Sequence, residues 1–331
     1  MTSSASFIRL PDLLEGWPMV RAINPQYEQV ATESADWLEM FQPFDARYLA
    51  IFRKCNFGLL ASLAYPNASP DHLRAACDML NCLFLLDEIS DRLCASDARK
   101  AGDVVMDSLR NPLKPRPEGE NVLGVVFQSF WARASTSSSC SAANRFVEHV
   151  QAFVDAVVIE AADRDSNHLR NMDDYLNLRR STIGVMPCFD ILQMGMDLPD
   201  DVVNHPKIVL LVDLATDMLI LANDIYSYNV ERIRDDNPHN LVAVAMKDQD
   251  CDAQSAIDYI ARCYMQLRDR FLAGFDDLPS WSSTIDKDVK SYIWGVGNWV
   301  TANIEWSFES ERYFGTHGKD IRESRTIAIL A

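Results

Sequence analysis

Apolar residues recur at intervals of three and four along most of the chain, a spacing that places them on one face of an α-helix. Sustained alternation of apolar and polar residues, which is typical of a half-buried strand, does not occur. The pattern predicts an all-α protein, a helical bundle of roughly ten or more elements. The segments with helical spacing are 25–42, 44–64, 70–94, 97–110, 122–134, 142–163, 171–183, 205–235, 238–248, 252–275 and 286–310.

Clusters of Pro, Gly and Ser interrupt this pattern and predict loops at 111–121 and 135–144. Neither loop has the length or composition of an interdomain linker, and no internal repeat of fixed period occurs. We therefore expect one helical domain over residues 1–331, with a loose N-terminal tail at 1–6.

Composition agrees with a folded helical protein. Apolar residues make up 48% of the 331 positions, and 12 glycines are few for a protein with many tight strand turns. The net charge of −17 argues against nonspecific binding to nucleic acid or to an anionic membrane. It is compatible with an anionic small substrate if divalent cations bridge that substrate to carboxylates.

The chain carries no sign of export or membrane insertion. Its eight cysteines lack C-x-x-C spacing, which predicts free thiols in a reducing compartment. The N-terminus has Arg9, Asp12 and Glu15 where a signal peptide needs an apolar core. The longest apolar run, 208–222, contains two aspartates and is too short to span a bilayer. We expect a cytoplasmic protein without a membrane segment.

The helix predicted over 70–94 carries acids on its apolar face. Leu80, Phe84, Asp87 and Asp91 step by four, three and four, so they share one side of the helix. Two desolvated carboxylates side by side repel each other and are tolerable only with a cation, a proton or water nearby. The alternative is that the helix simply emerges into solvent at Asp87.

A second helix repeats this arrangement. Asn223, Ser227 and Glu231 are spaced four and four at the end of an apolar stripe. All three side chains offer oxygen atoms, which suit a hard cation such as Mg²⁺ and suit zinc or copper poorly. Two such helices in one bundle favour a metal site over two solvated helix ends.

Two further stretches have chemistry that complements an anion. In the first, Arg179 and Arg180 precede Gly184 and Pro187, a pair that weakens or breaks a helix and lets backbone carbonyls face a cavity.

In the second stretch, Trp299 and Trp306 share a helical face and precede Arg312 and Tyr313. Arg and Tyr are donors well suited to a phosphate group. Core packing alone is the alternative explanation for each Trp.

Together the four stretches resemble class I terpene cyclases, in particular the sesquiterpene synthases of basidiomycete fungi. DEISD (87–91) resembles the aspartate-rich metal motif of that family, and NDIYSYNVE (223–231) resembles its second metal motif, N-D-x-x-S-x-x-x-E. The order and separation of the motifs also match, and the resemblance covers nearly the whole chain. It implies the class I terpenoid synthase fold, a helical bundle with a central active-site cavity.

The resemblance also implies roles for individual residues. Asp87 would bridge two Mg²⁺ ions, with Asp91 as a second member of that motif, and the second motif would hold a third ion. Arg180 would sense the diphosphate, with Arg179 as the competing choice. The remaining implied positions are the second-motif ligands Asn223, Ser227 and Glu231, the linker Ile183, the effector Gly184, the diphosphate donors Arg312 and Tyr313, the phosphate contact Arg234, and the cavity aromatics Phe84, Phe189, Trp299 and Trp306.

The chain departs from the family pattern at three positions. Val230 stands where many relatives carry Lys, and Arg234 stands where fungal relatives often carry Lys. A guanidinium at Arg234 can still meet a phosphate oxygen. The linker Ile183 is aliphatic.

The implied reaction is Mg²⁺-dependent ionisation of farnesyl diphosphate, followed by cyclisation of the cation to a C15 hydrocarbon or alcohol. We expect initial 1,10 closure rather than 1,11 closure. Closure of a loop near 232–240 would seal the cavity. We expect no partner beyond the substrate, except a second copy of the chain if the protein is a homodimer rather than a monomer.

Three other functions compete with this one. A chain-elongating prenyl diphosphate synthase shares fold and metals but usually carries a second D-D-x-x-D motif where this chain has Asn223, Ser227 and Glu231. A di-iron oxidase needs paired E-x-x-H motifs, which are absent from the sequence. A non-catalytic interaction module has no need of metal-type residues at helical spacing on two helices.

Overall fold

Helices make up nearly all of the regular structure in the computed structural model, which describes residues 7–196, 198–234 and 239–329. The all-α prediction is confirmed, while the predicted tail at 1–6 lies outside the described residues. The helices are α1 (Tyr27–Glu39), α2 (Ala46–Cys55), α3 (Phe57–Ala64), α4 (Pro70–Ser90), α5 (Ala95–Arg110), α6 (Val122–Ala134), α7 (Cys140–Ser166), α8 (Met172–Thr182), α9 (Val185–Leu192), α10 (Asp200–Val203), α11 (Pro206–Arg234), α12 (Leu241–Gln249), α13 (Ala253–Asp276), α14 (Ser283–Glu309) and α15 (Gly318–Ser324).

The segment predicted as one helix over 44–64 is divided into α2 and α3 at Asn56. This residue has a left-handed backbone with a φ of 49°, and its side-chain oxygen accepts a hydrogen bond from the Leu59 amide at 3.1 Å. Asn tolerates this conformation and caps helix N-termini well. Asn56 therefore ends one helix and begins the next without interrupting the apolar spacing.

Two short strands join the ends of the described chain. The first, β1 (Phe7–Arg9), pairs antiparallel with β2 (Thr326–Ala328). In each strand only the central residue is buried. Strands of three residues are too short for an alternating pattern to be recognised, which is why the sequence did not predict them.

Helix α14 runs through the core and forms one wall of the central cavity. From Tyr292 onward it is buried on nearly all sides, as expected for a helix that is surrounded by others. The Asn298 amide donates hydrogen bonds to the carbonyls of Leu63 (2.9 Å) and Ala64 (3.1 Å) at the end of α3. The hydroxyl of Thr301 donates to the Met19 carbonyl at 2.7 Å. These bonds fix the position of α14 along its axis.

Helix α4 is anchored through a buried carboxylate well before its acidic end. Asp78 is 1% exposed and accepts hydrogen bonds from Ser34 Oγ on α1 (2.6 Å) and from Arg133 Nη2 on α6 (2.6 Å). Arg74 Nε, one turn earlier on α4, donates to the same carboxylate at 2.8 Å. The network holds α4 in register with two neighbouring helices.

The apolar run at 208–222 lies within the 29-residue helix α11. No helix in the described part of the chain is both long enough and apolar enough to cross a membrane.

Replacing Asp78 with Ala should lower the free energy of unfolding by about 3 kcal/mol, because it removes a buried acceptor that is shared by donors on three helices. Chemical denaturation measures this change. The matched control is Asp97→Ala, which removes an exposed ion pair with Lys100 and should have no measurable effect. Equal stability of the two variants would contradict the anchoring role of Asp78.

Candidate active site

A cavity of about 720 Å³ opens between helices α4, α7, α11 and α14. Its volume is in the range of pockets that enclose small organic ligands. One end is charged and the rest is mostly apolar. The charged and polar residues include Asp87, Glu88, Asp91, Glu160, Arg164, Arg179, Asn223, Glu231, His239, Arg312 and Tyr313, and the apolar wall includes Leu60, Leu80, Leu83, Phe84, Phe153, Leu219, Trp299 and Trp306.

The acidic end of α4 forms one side of the charged mouth. Leu80, Phe84, Asp87 and Asp91 all line the cavity, as their spacing predicted. Asp91 lies directly after the last turn of α4, and its amide donates to the Asp87 carbonyl at 2.9 Å. The apolar stripe of α4 therefore continues as carboxylates at the cavity mouth, where both acidic side chains stay partly exposed.

These carboxylates are only partly neutralised by protein groups. Burial raises the pKa of Asp87, against the opposing charge of Arg312, whose Nη2 lies 4.0 Å from the carboxylate. Burial and then the Asp87 charge raise the pKa of Asp91 to about 8, although Arg164 Nη1 lies 3.7 Å away. Acids in such a position favour the approach of a cation.

On α11, Asn223 joins two other predicted site residues. Its amide oxygen accepts a hydrogen bond from Arg179 Nη2 at 2.8 Å, and its amide nitrogen donates to the Tyr313 hydroxyl at 2.9 Å. Three residues from distant parts of the sequence thus meet at one point of the mouth.

The other two residues of the second motif are joined by Asn240. The amide nitrogen of Asn240 donates to Glu231 Oε2 at 2.9 Å and lies 3.2 Å from Ser227 Oγ. Glu231 lines the cavity, whereas Ser227 is buried beneath its surface. Burial and then the Asp224 charge raise the pKa of Glu231. This carboxylate, like those of α4, lacks full charge compensation.

The oxygen atoms at the mouth suit Mg²⁺ ions that are coordinated partly by the protein and partly by a bound ligand. Among the described residues, no group of three His, Cys, Asp or Glu side chains is placed to hold an ion by itself. The available donors are carboxylate, amide and hydroxyl oxygens on α4 and α11 at the same mouth. Mg²⁺ is commonly bound in this way, through one or two carboxylates completed by phosphate oxygens and water.

The structure places Arg179, and not Arg180, in the cavity, which corrects the position expected for Arg180 and favours the competing choice, Arg179. Arg180 lies outside the cavity, with Nε 2.7 Å and Nη2 2.9 Å from the Asp217 carboxylate, and 42% of its side chain is exposed. Arg179 is held by Asn223 and Asp224. Burial lowers the pKa of Arg179, but the charge of Asp224 and those of further neighbours together outweigh burial, so the pKa is raised. Consecutive residues on a helix point about 100° apart, so only one of the two can face the cavity.

The predicted helix break occurs at Gly184. Helix α8 ends at Thr182 and α9 begins at Val185, and Gly184 has a φ of 67°, a left-handed conformation that favours glycine. Ile183 and Gly184 both line the cavity. The Gly184 carbonyl accepts a hydrogen bond from the thiol of Cys188 at 3.4 Å. The break therefore brings backbone atoms to the cavity surface.

Three of the four predicted aromatics line the cavity. Phe84 stacks on Phe57 with ring centroids 3.7 Å apart, and the Trp306 ring lies 6.2 Å from that of Phe84. The prediction for Phe189 is wrong: it is fully buried behind Trp299, with centroids 6.5 Å apart, and does not reach the cavity. The break at Gly184 sets the direction of α9, which the sequence alone does not define.

Two predictions concern parts of the chain that the structure does not fully describe. The backbone of α11 extends to Arg234, but the side chain of Arg234 lies outside the described residues. The same is true of residues 235–238, the centre of the loop expected to close over the cavity.

The sequence did not reveal several residues that organise the mouth. Asp224 accepts hydrogen bonds from the Tyr175 hydroxyl (2.5 Å) and the Leu241 amide (2.9 Å), which ties α8 and α12 to α11. Glu160 and Arg164 line the mouth from α7. Glu160 and Arg164 are four residues apart and follow an apolar stripe. The same signal identified the acids of α4, so the sequence could have revealed this pair on α7. Asn240, a single polar residue after a loop, offers no such signal.

Comparisons with known proteins agree with this site. A family model described as terpene synthase family 2, C-terminal metal binding, matches residues 78–270. Sesquiterpene synthase 9 of Postia placenta is 42% identical over 325 residues, which is 98% of this chain and 94% of that protein. A Delta(6)-protoilludene synthase of Stereum hirsutum is 43% identical over 97% of this chain and 92% of its own length.

A solved structure shares the fold. Germacradien-4-ol synthase from Streptomyces citricolor matches with a TM-score of 0.76 over 88% of this chain and 96% of that chain, at 22% identity. The helical arrangement around the central cavity is therefore that of a known terpene synthase structure.

Replacing Asn240 with Ser should weaken Mg²⁺ binding in the presence of inorganic diphosphate by about tenfold, because Ser227 and Glu231 lose the donor that aligns them. Calorimetric titration measures the affinity. Ser keeps the helix-capping role of Asn240 on α12, so the fold should survive.

The matched control is Asn171→Ser, which alters another capping Asn, at the start of α8. This variant should bind as the wild type does. Wild-type affinity in Asn240→Ser would contradict the aligning role.

Proposed function

The chain belongs to the terpene synthase family, whose members are lyases, and we propose from this premise that it is a sesquiterpene synthase acting on farnesyl diphosphate. The observation that carries the proposal is the meeting of two kinds of surface in one cavity. Oxygen donors from α4 and α11 converge with Arg179, Arg312 and Tyr313 at the mouth, above an apolar, aromatic wall. A prenyl diphosphate has two matching parts, a charged diphosphate group and an apolar hydrocarbon chain.

The charged mouth would bind the diphosphate. Arg312 and Tyr313 are adjacent and partly buried, and burial raises the pKa of Tyr313, so its hydroxyl stays protonated and can donate. Arg179 faces the same space from α8. Three fixed donors around one anion stabilise the charge that develops as the C–O bond breaks.

Five residues would hold the metal ions. We propose three Mg²⁺ ions, and when bound they would neutralise the diphosphate charge and promote its departure. The protein contributes oxygen donors on opposite sides of the mouth, and their incomplete charge compensation is what makes the site receptive. The proposed ligands are Asp87, Asp91, Asn223, Ser227 and Glu231.

The apolar part of the cavity would control the fate of the allylic cation. Its walls exclude water, and the faces of Phe84, Trp299 and Trp306 can stabilise positive charge as it moves along the chain. The cation ends by losing a proton, for which the departing diphosphate is a sufficient acceptor, or by capturing water. The product is then a cyclic C15 hydrocarbon or alcohol.

The mode of first ring closure stays a prediction. We propose bond formation from C1 to C10, with closure to C11 as the alternative. The product skeleton distinguishes them, since 1,10 closure leads to germacrene or cadinane types and 1,11 closure to the humulyl cation. Because several relatives are named Delta(6)-protoilludene synthases, authentic protoilludene belongs among the chromatographic standards.

We also propose that residues 1–331 form a single catalytic domain, active as a monomer or homodimer in the cytoplasm.

The purified protein should convert farnesyl diphosphate to a cyclic C15 product with Mg²⁺ and not with EDTA. Asp87→Ala and Asn223→Ala should each lower kcat/KM by about 100-fold or more, because each removes a proposed metal ligand. Gas chromatography with mass spectrometry measures the product.

The control for this pair is Asp103→Ala, which removes an exposed carboxylate of α5 and should leave activity unchanged. A longer prenyl diphosphate as product would indicate chain elongation instead. A protein that binds neither Mg²⁺ nor diphosphate would overturn the assignment as an enzyme.

Arg179 and Arg180 form a matched pair of adjacent arginines. Arg179→Ala should lower the rate of diphosphate release by about 100-fold, the usual cost of removing a donor to developing charge. Arg180→Ala should stay within about threefold, because it removes an external ion pair with Asp217. Release of diphosphate from farnesyl diphosphate is the measurement, and the reverse ranking would restore Arg180 as the sensor.

A further inference from the structure

Asn303 is an uncharged amide in the otherwise hydrophobic section of the cavity wall. It lies on α14 between Trp299 and Trp306, at spacings of four and three, and all three residues line the cavity. Asn303 is 7% exposed. An amide in this position interrupts a surface that is otherwise aromatic and aliphatic.

The side chain of Asn303 has no hydrogen-bond partner among the described residues. Its amide nitrogen is buried and unpaired. Two other buried asparagines of this chain do use their amide nitrogens: Asn298, on the same helix, donates to two carbonyls of α3, and Asn24 donates to the carbonyls of Tyr65 and Ala68. Buried polar groups without a partner are rare and are often found where a site has a functional task. Asn303 therefore does not serve to hold the helices together.

The height of Asn303 in the cavity determines which part of a substrate it meets. Trp306, one turn nearer the mouth, contacts the rings of Phe57, Phe84 and Tyr313. Arg312 of the charged mouth lies above Phe84 at 4.9 Å, so Trp306 is close to the mouth and Asn303, one turn earlier on α14, is further from it. Asn303 thus faces the hydrocarbon part of the cavity and not the diphosphate site.

We propose that Asn303 is a specificity-determining residue, whose amide dipole stabilises one carbocation intermediate over its competitors. The inference rests on the proposed function. A neutral polyene offers neither donor nor acceptor to an amide, so the two interact weakly. A carbocation is attracted to the amide oxygen, and in a dry cavity this charge–dipole attraction is strong.

The aromatic rings beside Asn303 stabilise positive charge anywhere over their faces. The amide oxygen stabilises only charge that lies close to that one atom. Among cations of similar energy, the one with its charge centred near this oxygen is favoured. Small differences of this kind are enough to redirect a branched reaction, because about tenfold in product ratio corresponds to a small change in barrier.

The test compares Asn303→Leu, which keeps the branched shape and removes the dipole, with Asn303→Ala, which removes both dipole and volume. Both variants should release diphosphate within about threefold of the wild type, because the mouth is untouched. In both, the wild-type major product should fall about tenfold relative to by-products. The assay uses farnesyl diphosphate and Mg²⁺ in ¹⁸O-labelled water, with gas chromatography and mass spectrometry of the products.

Stability provides a readout independent of activity. Asn303→Leu should unfold at the same temperature as the wild type or higher, because it replaces an unpaired buried amide by an apolar side chain. The matched control Asn298→Leu should unfold at a lower temperature, because it leaves two carbonyls of α3 without a donor.

Four results would overturn the inference. Wild-type products from Asn303→Leu together with altered products from Asn303→Ala would assign the effect to cavity shape. Unchanged products in both variants would leave Asn303 without influence. Loss of diphosphate release in a variant that still folds would assign Asn303 a role in the ionisation step. An ¹⁸O label that is present in the wild-type product and lost in Asn303→Leu would assign the amide to holding a nucleophilic water.

Absence of any diphosphate release by the wild type would instead refute the proposed function, and this inference would fall with it.

Discussion

The structure depends on holding several carboxylates together at the open end of an apolar cavity. Asp87, Asp91 and Glu231 come from two helices and lose part of their hydration to the surrounding protein, and the pKa of each is raised. Such an arrangement is unfavourable by itself. It becomes favourable when cations and an anion enter together, since the cations neutralise the acids and the arginines meet the anion. We therefore propose that the charged mouth binds a metal-bound anion in preference to either component alone.

The remainder of the fold keeps this mouth rigid. Asp78 fixes α4 against α1 and α6, Asn298 fixes α14 against α3, and Asp224 ties α8 and α12 to α11. These polar groups are buried and satisfied, so they determine the geometry without reacting. Asn303 differs from them because no described residue satisfies it, and it faces the place where a hydrocarbon cation would form. The contrast distinguishes polar groups that hold the helices together from Asn303, for which we propose a role within the cavity.

Sequence periodicity was informative wherever apolar residues defined a helix face. It placed Asp87 and Asp91 of α4 on the cavity side correctly, because the stripe before them is long and regular. It did not choose between Arg179 and Arg180, because α8 has few apolar residues to define its buried face. The family resemblance misplaced Phe189, because the direction of α9 depends on the turn at Gly184. Contacts made across the fold, such as that of Asn240 with Glu231, leave no local pattern in the sequence.

The most direct test of the account is a titration of the protein with inorganic diphosphate, with and without Mg²⁺, followed by calorimetry. If the carboxylates and arginines form one site for a metal-bound anion, diphosphate should bind tightly only with Mg²⁺ present, and Mg²⁺ alone should bind weakly. Equally tight binding of diphosphate without metal would show that the arginines suffice and that the acids at the mouth have another purpose.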